Sequence, residues 1–232
     1  MSRPSPGKFK VYLEVGNRRT FAAALEWPGW CRSGRDEAAA LQALFAYGPR
    51  YARVLRPARL GFQAPKPAAA LVVAERLTGN ATTDFGAPDL APAGDGEPVD
   101  DADLRRLQAV LAACWRAWDA VVQRAAGQPL RTGPRGGGRG LDGLNEHVLG
   151  AEQSYLSALG GRLTLPKGAA LSAGPLRQAI LETLTAAARG EIAERGPRGG
   201  KRWSPRYFVR RAAWHILDHV WEIEDRLPAP AE

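Results

Sequence analysis

The chain is predicted to fold as an α+β N-terminal module followed by an all-α four-helix bundle. Residues 8–25 alternate between apolar and polar side chains with the two-residue period of strands. Residues 86–99 are rich in proline, glycine and acidic residues, a composition typical of linkers. Beyond residue 100 the apolar residues recur with the period of helices in four long segments.

The first module is predicted to span residues 1–85 and to begin with a β-hairpin. Its two strands lie on either side of a turn at Gly16-Asn17. Asp36 is a typical N-cap for a helix over residues 37–45, and Gly48-Pro49 is expected to end that helix. A second short helix around 51–55 and a strand over 71–77 complete the module, and residues 86–99 form the predicted linker.

The bundle is predicted to span residues 100–227, leaving residues 228–232 as a tail. Capping residues and glycine-rich breaks place its helices at about 100–126, 142–159, 172–195 and 204–226. The connection of about 12 residues between the second and third helices is long enough to cross the bundle. We therefore expect an up-down-down-up order.

Composition limits the classes of protein to consider. The chain has 232 residues, of which 45% are hydrophobic, and it contains no run of about 18 uncharged apolar residues. The opening Met1-Ser2-Arg3-Pro4 lacks the pattern of a signal peptide, so a soluble cytoplasmic protein with no membrane partner is expected. Cys31 and Cys114 have no C-x-x-C spacing, which favours reduced thiols over a disulfide or a zinc ribbon.

The net charge of +8 raises the question of nucleic-acid binding. However, 27 of the 32 basic residues are arginines scattered among carboxylates, and alanine, glycine and proline are also abundant. This composition is typical of a GC-rich coding sequence, so nucleic acid is not an expected partner. A small-molecule substrate is expected instead, and formation of a homodimer is left open.

The three histidines of the chain form the most informative pattern. His215 and His219 are four residues apart in an apolar helical segment and therefore share one face of the helix. His147 lies early in the predicted second helix and can reach the same point from a facing helix. Three imidazoles with a fourth position open are typical of a catalytic metal ion. The segment lacks the glutamate of H-E-x-x-H, which argues against a metalloprotease.

The depths of the histidines predict the relative direction of the two helices. At 1.5 Å per residue, His147 lies about 7 Å from the start of its helix. The midpoint of His215 and His219 lies about 18 Å from the start of the fourth helix and about 13 Å from its end. An antiparallel pair matches these depths better than a parallel one.

The three histidines, with the phrase from Ala213 to Arg226, resemble the DinB/YfiT-like family of four-helix-bundle metal proteins over about residues 100–227. The resemblance implies a divalent ion, zinc first and nickel second, bound by His147, His215 and His219. Some members of this family are transferases or isomerases that use a low-molecular-weight thiol.

The N-terminal module is similar to the HicB-like fold, in which a hairpin leads through a Pro-Gly-x4-Gly turn into a helix. Here the turn is Pro28-Gly29 with Gly34. No DNA-binding appendage follows, so we expect an interaction or scaffold module, or simply a cap packed on the bundle.

Other residues are candidates for roles around the ion. A helical wheel places Glu222 about 40° and Arg211 about 60° from the direction of His215 and His219. At that angle Arg211 is a candidate for binding the substrate. Glu222 could orient a ligand, accept a proton from water or coordinate the ion. The glycine-rich loop before the second helix carries Arg135 and Arg139, which could bind a substrate carboxylate. Small residues beside His147 leave space for a substrate: Gly143, Gly150 and Ala151.

The function expected from this pattern is that of a divalent-metal-dependent enzyme, with S-transfer from a small thiol as the favoured reaction. Hydrolysis requires the same ligands and is one alternative. The other is a non-enzymatic metal-binding or interaction protein. Closure of the fourth position by Glu222 would favour the non-enzymatic alternative, and an open position would favour an enzyme.

Overall fold

The structure is a computed structural model that describes residues 8–133, 138–166 and 168–228. The chain divides into two compact units. The first unit extends to Glu97 and also contains Val209–Trp214. The second unit contains Pro98–Phe208 and the segment from His215 onwards. The sheet and the helices confirm the α+β class.

The first unit is built on a four-stranded mixed sheet in the order β3-β2-β1-β4. β1 and β2 form the predicted antiparallel hairpin, and β4, the predicted final strand, pairs parallel to β1. Its elements are β1 (Phe9–Val15), β2 (Thr20–Ala24), β3 (Cys31–Gly34), α1 (Glu37–Leu55), β4 (Leu71–Thr78) and α2 (Ala81–Phe85).

The predicted end of the first helix at Gly48-Pro49 is wrong, because α1 continues through both residues to Leu55. A proline inside a helix removes one backbone hydrogen bond, so other contacts must hold this segment. The Trp30 indole N–H donates to the Leu44 carbonyl at 2.9 Å, one turn before the proline, and the Tyr51 hydroxyl donates to the Pro28 carbonyl at 2.8 Å. These buried bonds anchor both halves of α1, so the predicted separate helix at 51–55 does not exist.

The predicted linker over 86–99 is largely part of the first unit. The carboxylate of Glu14, which is fully buried in β1, accepts hydrogen bonds from the Thr83 hydroxyl and from the backbone N–H groups of Asp89 and Leu90. A 3-10 helix over Ala93–Gly96 follows. The boundary between the units therefore lies at residues 97 and 98.

A buried ion pair completes the first unit. Arg210 donates through two nitrogens to the Asp95 carboxylate, both at 2.7 Å, and also to the carbonyls of Ala24 and Leu25. Four residues from the sheet form one apolar cluster with Trp214, namely Tyr12, Phe21, Ala23 and Cys31. The segment 209–214 thus supplies both a cation and an aromatic ring to this unit.

The second unit consists of helices close to the four predicted ones, including the predicted caps at Asp100 and Ser204. They are α3 (Asp101–Ala125), α4 (Leu141–Leu159), α5 (Ala173–Ala188) and α6 (Pro205–Arg226), of which α6 also passes through 209–214. α5 ends seven residues before the predicted 195. Gly190 has a φ of 73° there, which is the backbone conformation that commonly terminates a helix.

Side-chain contacts define how the helices of the second unit run. Arg206 of α6 binds Asp103 of α3 near both starts, and Arg124 lies 3.5 Å from Glu224 near both ends, so α3 and α6 are parallel. Trp203 donates through its backbone N–H to Ala158, and Arg226 donates to the Arg139 carbonyl, so α4 and α6 are antiparallel. This confirms the direction predicted for the two histidine-bearing helices.

Side-chain contacts also define the direction of α5. Gln108 and Asp119 of α3 bind Thr185 and Arg177 of α5 respectively, so α3 and α5 are antiparallel. A side chain on Gly160, at the end of α4, would contact Ile192, which follows the end of α5. α4 and α5 therefore run in the same direction, and residues 160–172 connect them.

Two predictions drawn from composition can be compared with the structure. Cys31 and Cys114 are both buried, and neither is in a disulfide. Across the described residues, none of the helices combines the length and the apolar character needed to cross a bilayer.

Candidate metal centre

The three predicted ligands converge. His147 lies in the second turn of α4, while His215 and His219 lie one turn apart on α6, whose start is fixed by the Ser204 cap and by Pro205 at the first helical position. One nitrogen from each imidazole can be chosen so that all three lie within 4.8 Å of one another. His215 is 7% exposed, and the other two rings are half-buried.

The closest approach within this group is 3.1 Å, between the Nε2 atoms of His147 and His215. At this distance one ring can donate a hydrogen bond to the other, or both lone pairs can point at one ion. Two imidazole nitrogens bound to a tetrahedral ion at 2.0–2.1 Å lie about 3.3 Å apart. The spacing of His147 and His215 therefore fits a shared ion with small adjustments.

The orientation of His219 is set by a carboxylate. Its Nδ1 lies 2.7 Å from Oε2 of Glu222, and Oε1 of the same carboxylate accepts a hydrogen bond from Arg226 at 2.7 Å. Because an ionised carboxylate only accepts, Nδ1 of His219 carries the proton. The lone pair of this ring is then on Nε2, the atom free to bind a metal. Metal-binding histidines commonly have such a carboxylate partner.

The electrostatics favour the protonation states that metal binding needs. Partial burial lowers the pKa of His147, and electrostatic interactions with His219 and Arg139 lower it further, while Glu222 opposes them. A neutral imidazole is the form that binds metal. The hydrogen bond from His219, together with Arg226, holds the pKa of Glu222 below its ordinary value.

The predicted surroundings of His147 are partly described. Arg139 is exposed, and its side chain lies against Gly143, where an added Cβ would be 3.4 Å from it. A Cβ on Gly150 would meet no atom within 4 Å, so there is open space one turn after His147. Arg135, the other predicted anion-binding residue of this loop, lies outside the described residues.

Arg211, the third arginine predicted to bind substrate, is placed differently. It belongs to the segment of α6 that groups with the first unit, and it is 9% exposed. Its guanidinium carbon lies 4.8 Å from the centre of the Trp214 ring, a cation–π contact. A role of Arg211 in binding the substrate stays a prediction.

Two neighbours of the histidines were not predicted. Arg226 binds Glu222, and its spacing of four residues from Glu222 and seven from His219 is a helical-face signal that could have revealed it. The ring of Tyr155 lies 5.7 Å from that of His215 in an edge-to-face contact. Tyr155 follows His147 by eight residues, which again places both on one face of α4.

Among the residues that the structure describes, His147, His215 and His219 form the group of side chains that could hold a metal ion. Their chemistry fits zinc, nickel and other divalent ions that bind imidazole. Comparisons with known proteins give no assignment for the site: no protein-family model, curated protein or solved structure matches the chain.

Proposed function

We propose that the second unit is a DinB-like four-helix bundle in up-down-down-up order that binds one divalent ion through His147, His215 and His219. The pairwise directions of α3, α4, α5 and α6 support this order. The resemblance of the histidine pattern to the DinB/YfiT-like family supports the same assignment. Zinc is the first choice because it commonly uses imidazole ligands, and nickel is the second.

The proposal that the site is catalytic depends on one observation, the position of the Glu222 carboxylate. Both of its oxygens are engaged, one by His219 and the other by Arg226. Glu222 therefore acts in the proposal as the residue that orients His219, and it is not counted as a fourth ligand. Three protein ligands with one position open are typical of catalytic sites, whereas structural sites have four.

The favoured reaction is transfer of a small thiol to a compact electrophilic substrate. A divalent ion at this site supplies Lewis acidity, which lowers the pKa of a bound thiol or water. Arg139 lies near His147 and is suited to bind a carboxylate of the substrate. The open space at Gly150, one turn after His147, is consistent with room for a substrate. Hydrolysis needs the same protein groups and is the competing reaction.

Metal binding is tested first. Protein purified without a histidine tag is expected to contain about one zinc or nickel ion per chain by mass spectrometry of the metal. His219→Ala is expected to lose most of this metal. Glu224→Gln, on the same helix with its carboxylate directed to Arg124, is the matched control and should retain it. Full occupancy in His219→Ala would overturn the proposed site.

The reaction is tested with metal-loaded protein, monochlorobimane as electrophile, and mycothiol, bacillithiol or glutathione as thiol. At least one thiol is expected to react faster with the wild type than with His215→Ala. Equal rates for the two proteins with all three thiols, together with no thiol binding by calorimetry, would refute the transferase proposal. Ester hydrolysis that is lost in His215→Ala under those conditions would assign the site to a hydrolase.

A further inference from the structure

The guanidinium of Arg226 binds several acceptors close to the candidate metal centre. It is 5% exposed and donates three hydrogen bonds in different directions. NH1 donates to Oε1 of Glu222 at 2.7 Å, Nε to the Arg131 carbonyl at 2.8 Å, and NH2 to the Arg139 carbonyl at 2.9 Å. Arg226 thus joins the end of α6 to two residues that precede α4, Arg131 and Arg139.

A second, independent feature is the close approach of Gly138 to this guanidinium. A Cβ built on Gly138 would lie 2.8 Å from the NH2 nitrogen of Arg226 and 2.9 Å from the central carbon of its guanidinium. Both distances are shorter than a Cβ atom normally makes with another heavy atom. The φ of Gly138 is 148°, which also favours glycine. Any other residue at 138 would therefore push the guanidinium from its present place.

Reciprocal contacts hold Arg131 to the end of α6. The backbone N–H of Arg131 donates to the Arg226 carbonyl at 2.9 Å, and the Arg131 side chain donates to the Asp225 carbonyl at 2.6 Å. Arg131 and Arg226 are therefore fixed to each other through both backbone and side chain. These contacts leave the guanidinium that binds Glu222 little freedom to move.

From these contacts we propose that Arg226 is a positioning residue of the candidate metal centre, a role that rests on the proposed function. Arg226 holds the Glu222 carboxylate against Nδ1 of His219, so that Nε2 of His219 faces the other two histidines. Because it also binds the Arg139 carbonyl, Arg226 couples the backbone position of Arg139 to the orientation of His219. The metal ligand and the anion-binding arginine are thereby set by one guanidinium.

The geometry of the guanidinium explains why arginine is needed for this task. Its donors lie in one plane and point in fixed directions, which matches three acceptors placed around it. A lysine ammonium carries the same charge, but its donors cannot reproduce this planar arrangement. Arg226→Lys should therefore behave like Arg226→Gln, whereas a purely electrostatic role at the end of the helix would be rescued by lysine.

The first test reads the tautomer of His219 directly, by NMR of protein with nitrogen-15-labelled histidine after treatment with a chelator. The wild type is expected to show His219 with its proton on Nδ1. Both Arg226→Lys and Arg226→Gln are expected to shift the ring towards a mixture of the two tautomers. This measurement does not depend on bound metal, so it can fail or succeed independently of the proposed function.

The second test measures affinity for cobalt(II) and the visible spectrum of the cobalt form. Loss of Arg226 is expected to weaken binding about 10- to 100-fold, as is typical when a group that orients a metal ligand is removed. Gly138→Ala keeps Arg226 but displaces it, and is expected to weaken binding in the same direction. Arg124→Gln, which removes the exposed pair with Glu224, is the control and should bind as the wild type does.

The outcomes separate the two proposals. A wild type that binds no cobalt contradicts the proposed function, while a shifted His219 tautomer in the variants would still support the role of Arg226. If Arg226→Gln is unfolded by circular dichroism, Gly138→Ala decides the question. Wild-type tautomer and wild-type cobalt affinity in the folded variants, or rescue of both by Arg226→Lys, would overturn the positioning role.

Discussion

Glu152, a buried carboxylic acid of α4, should make the stability of the protein depend on pH. Its side chain is 1% exposed, and the Trp115 indole N–H donates to its Oε1 at 2.5 Å. Burial raises the pKa of Glu152 from 4.5 to about 7, although the hydrogen bond from Trp115 and the charge of Arg177 act in the opposite direction. The folded protein therefore holds a proton on Glu152 at pH values where the unfolded chain has lost it.

The sign and size follow from proton linkage. Well below pH 4.5 Glu152 is protonated in both the folded and the unfolded state, so its titration does not change the free energy of unfolding there. As the pH rises from 4.5 through 7, only the folded state keeps the proton, so the free energy of unfolding falls. The difference between a pKa of 4.5 and one of about 7 corresponds to about 3 kcal/mol, most of which is lost between pH 5 and pH 8.

Glu152→Gln removes this titration while keeping an oxygen that can accept from Trp115. Urea denaturation of the wild type and of Glu152→Gln at pH 5 and pH 8 measures the difference in their free energies of unfolding. Between those two pH values the wild type should lose about 2–3 kcal/mol relative to the variant. Glu182→Gln, at an exposed glutamate of α5, should show no such change. Parallel pH curves for the wild type and Glu152→Gln would refute the reasoning.

Three further outcomes are expected. Asp95→Asn leaves the buried Arg210 without its carboxylate and should lower the free energy of unfolding by about 3–5 kcal/mol. Glu37→Gln removes only an exposed pair with Arg76 and should lower it by at most about 1 kcal/mol. Urea denaturation compares the two variants, and equal losses would contradict this prediction. Cys31 and Cys114 are buried, and burial raises the pKa of the Cys114 thiol. A thiol reagent should therefore modify neither cysteine in the native protein and both in urea. Rapid labelling of the native protein would contradict their burial. Gly160→Ala should cost about 1–3 kcal/mol in the same denaturation assay, because Gly160 has a φ of 109° and an added Cβ would lie 2.7 Å from Ile192; an unchanged free energy would refute this.

Local signals were sufficient to predict most of the helices. The side chains of Asp100 and Ser204 cap α3 and α6 where the sequence placed them, and apolar residues follow at helical spacing. The same signals failed for α1, where Gly48-Pro49 is a strong local breaker. The helix continues because Trp30 and Tyr51 form buried hydrogen bonds with residues distant in the sequence. Such tertiary contacts cannot be inferred from the local pattern.

The strand β3 was missed for a different reason. Its sequence, Cys31–Gly34, is four residues long and largely polar, without the alternation that marks a strand. It pairs with β2 at the edge of the sheet, and Gly34 fits there because a Cβ would lie 2.4 Å from the backbone nitrogen of Ala40. Strand pairing of this kind is decided by the neighbouring strand and helix.

The convergence of the three histidines could be predicted from the sequence, but the residues that hold them in place could not. The i, i+4 spacing of His215 and His219 and the helical start before His147 are local features, and the convergence predicted from them is confirmed. The contacts of Arg226 with the carbonyls of Arg131 and Arg139 join positions that are 95 and 87 residues apart. Every residue has a backbone carbonyl whatever its side chain, so no residue pattern could predict which carbonyl a guanidinium would bind.

The path of α6 through both units constrains how this protein could have been assembled in evolution. A gene fragment ending at residue 97 would encode the sheet without Arg210 and Trp214, leaving Asp95 buried without its cation and the cluster of Tyr12, Phe21, Ala23 and Cys31 uncovered. His215 follows Trp214 directly in the chain. Only one peptide bond therefore lies between the last residue of the first unit and a candidate metal ligand of the second. The first unit is therefore expected to be inherited together with α6, because recombination at the boundary between residues 97 and 98 would not transfer a complete first unit to another protein.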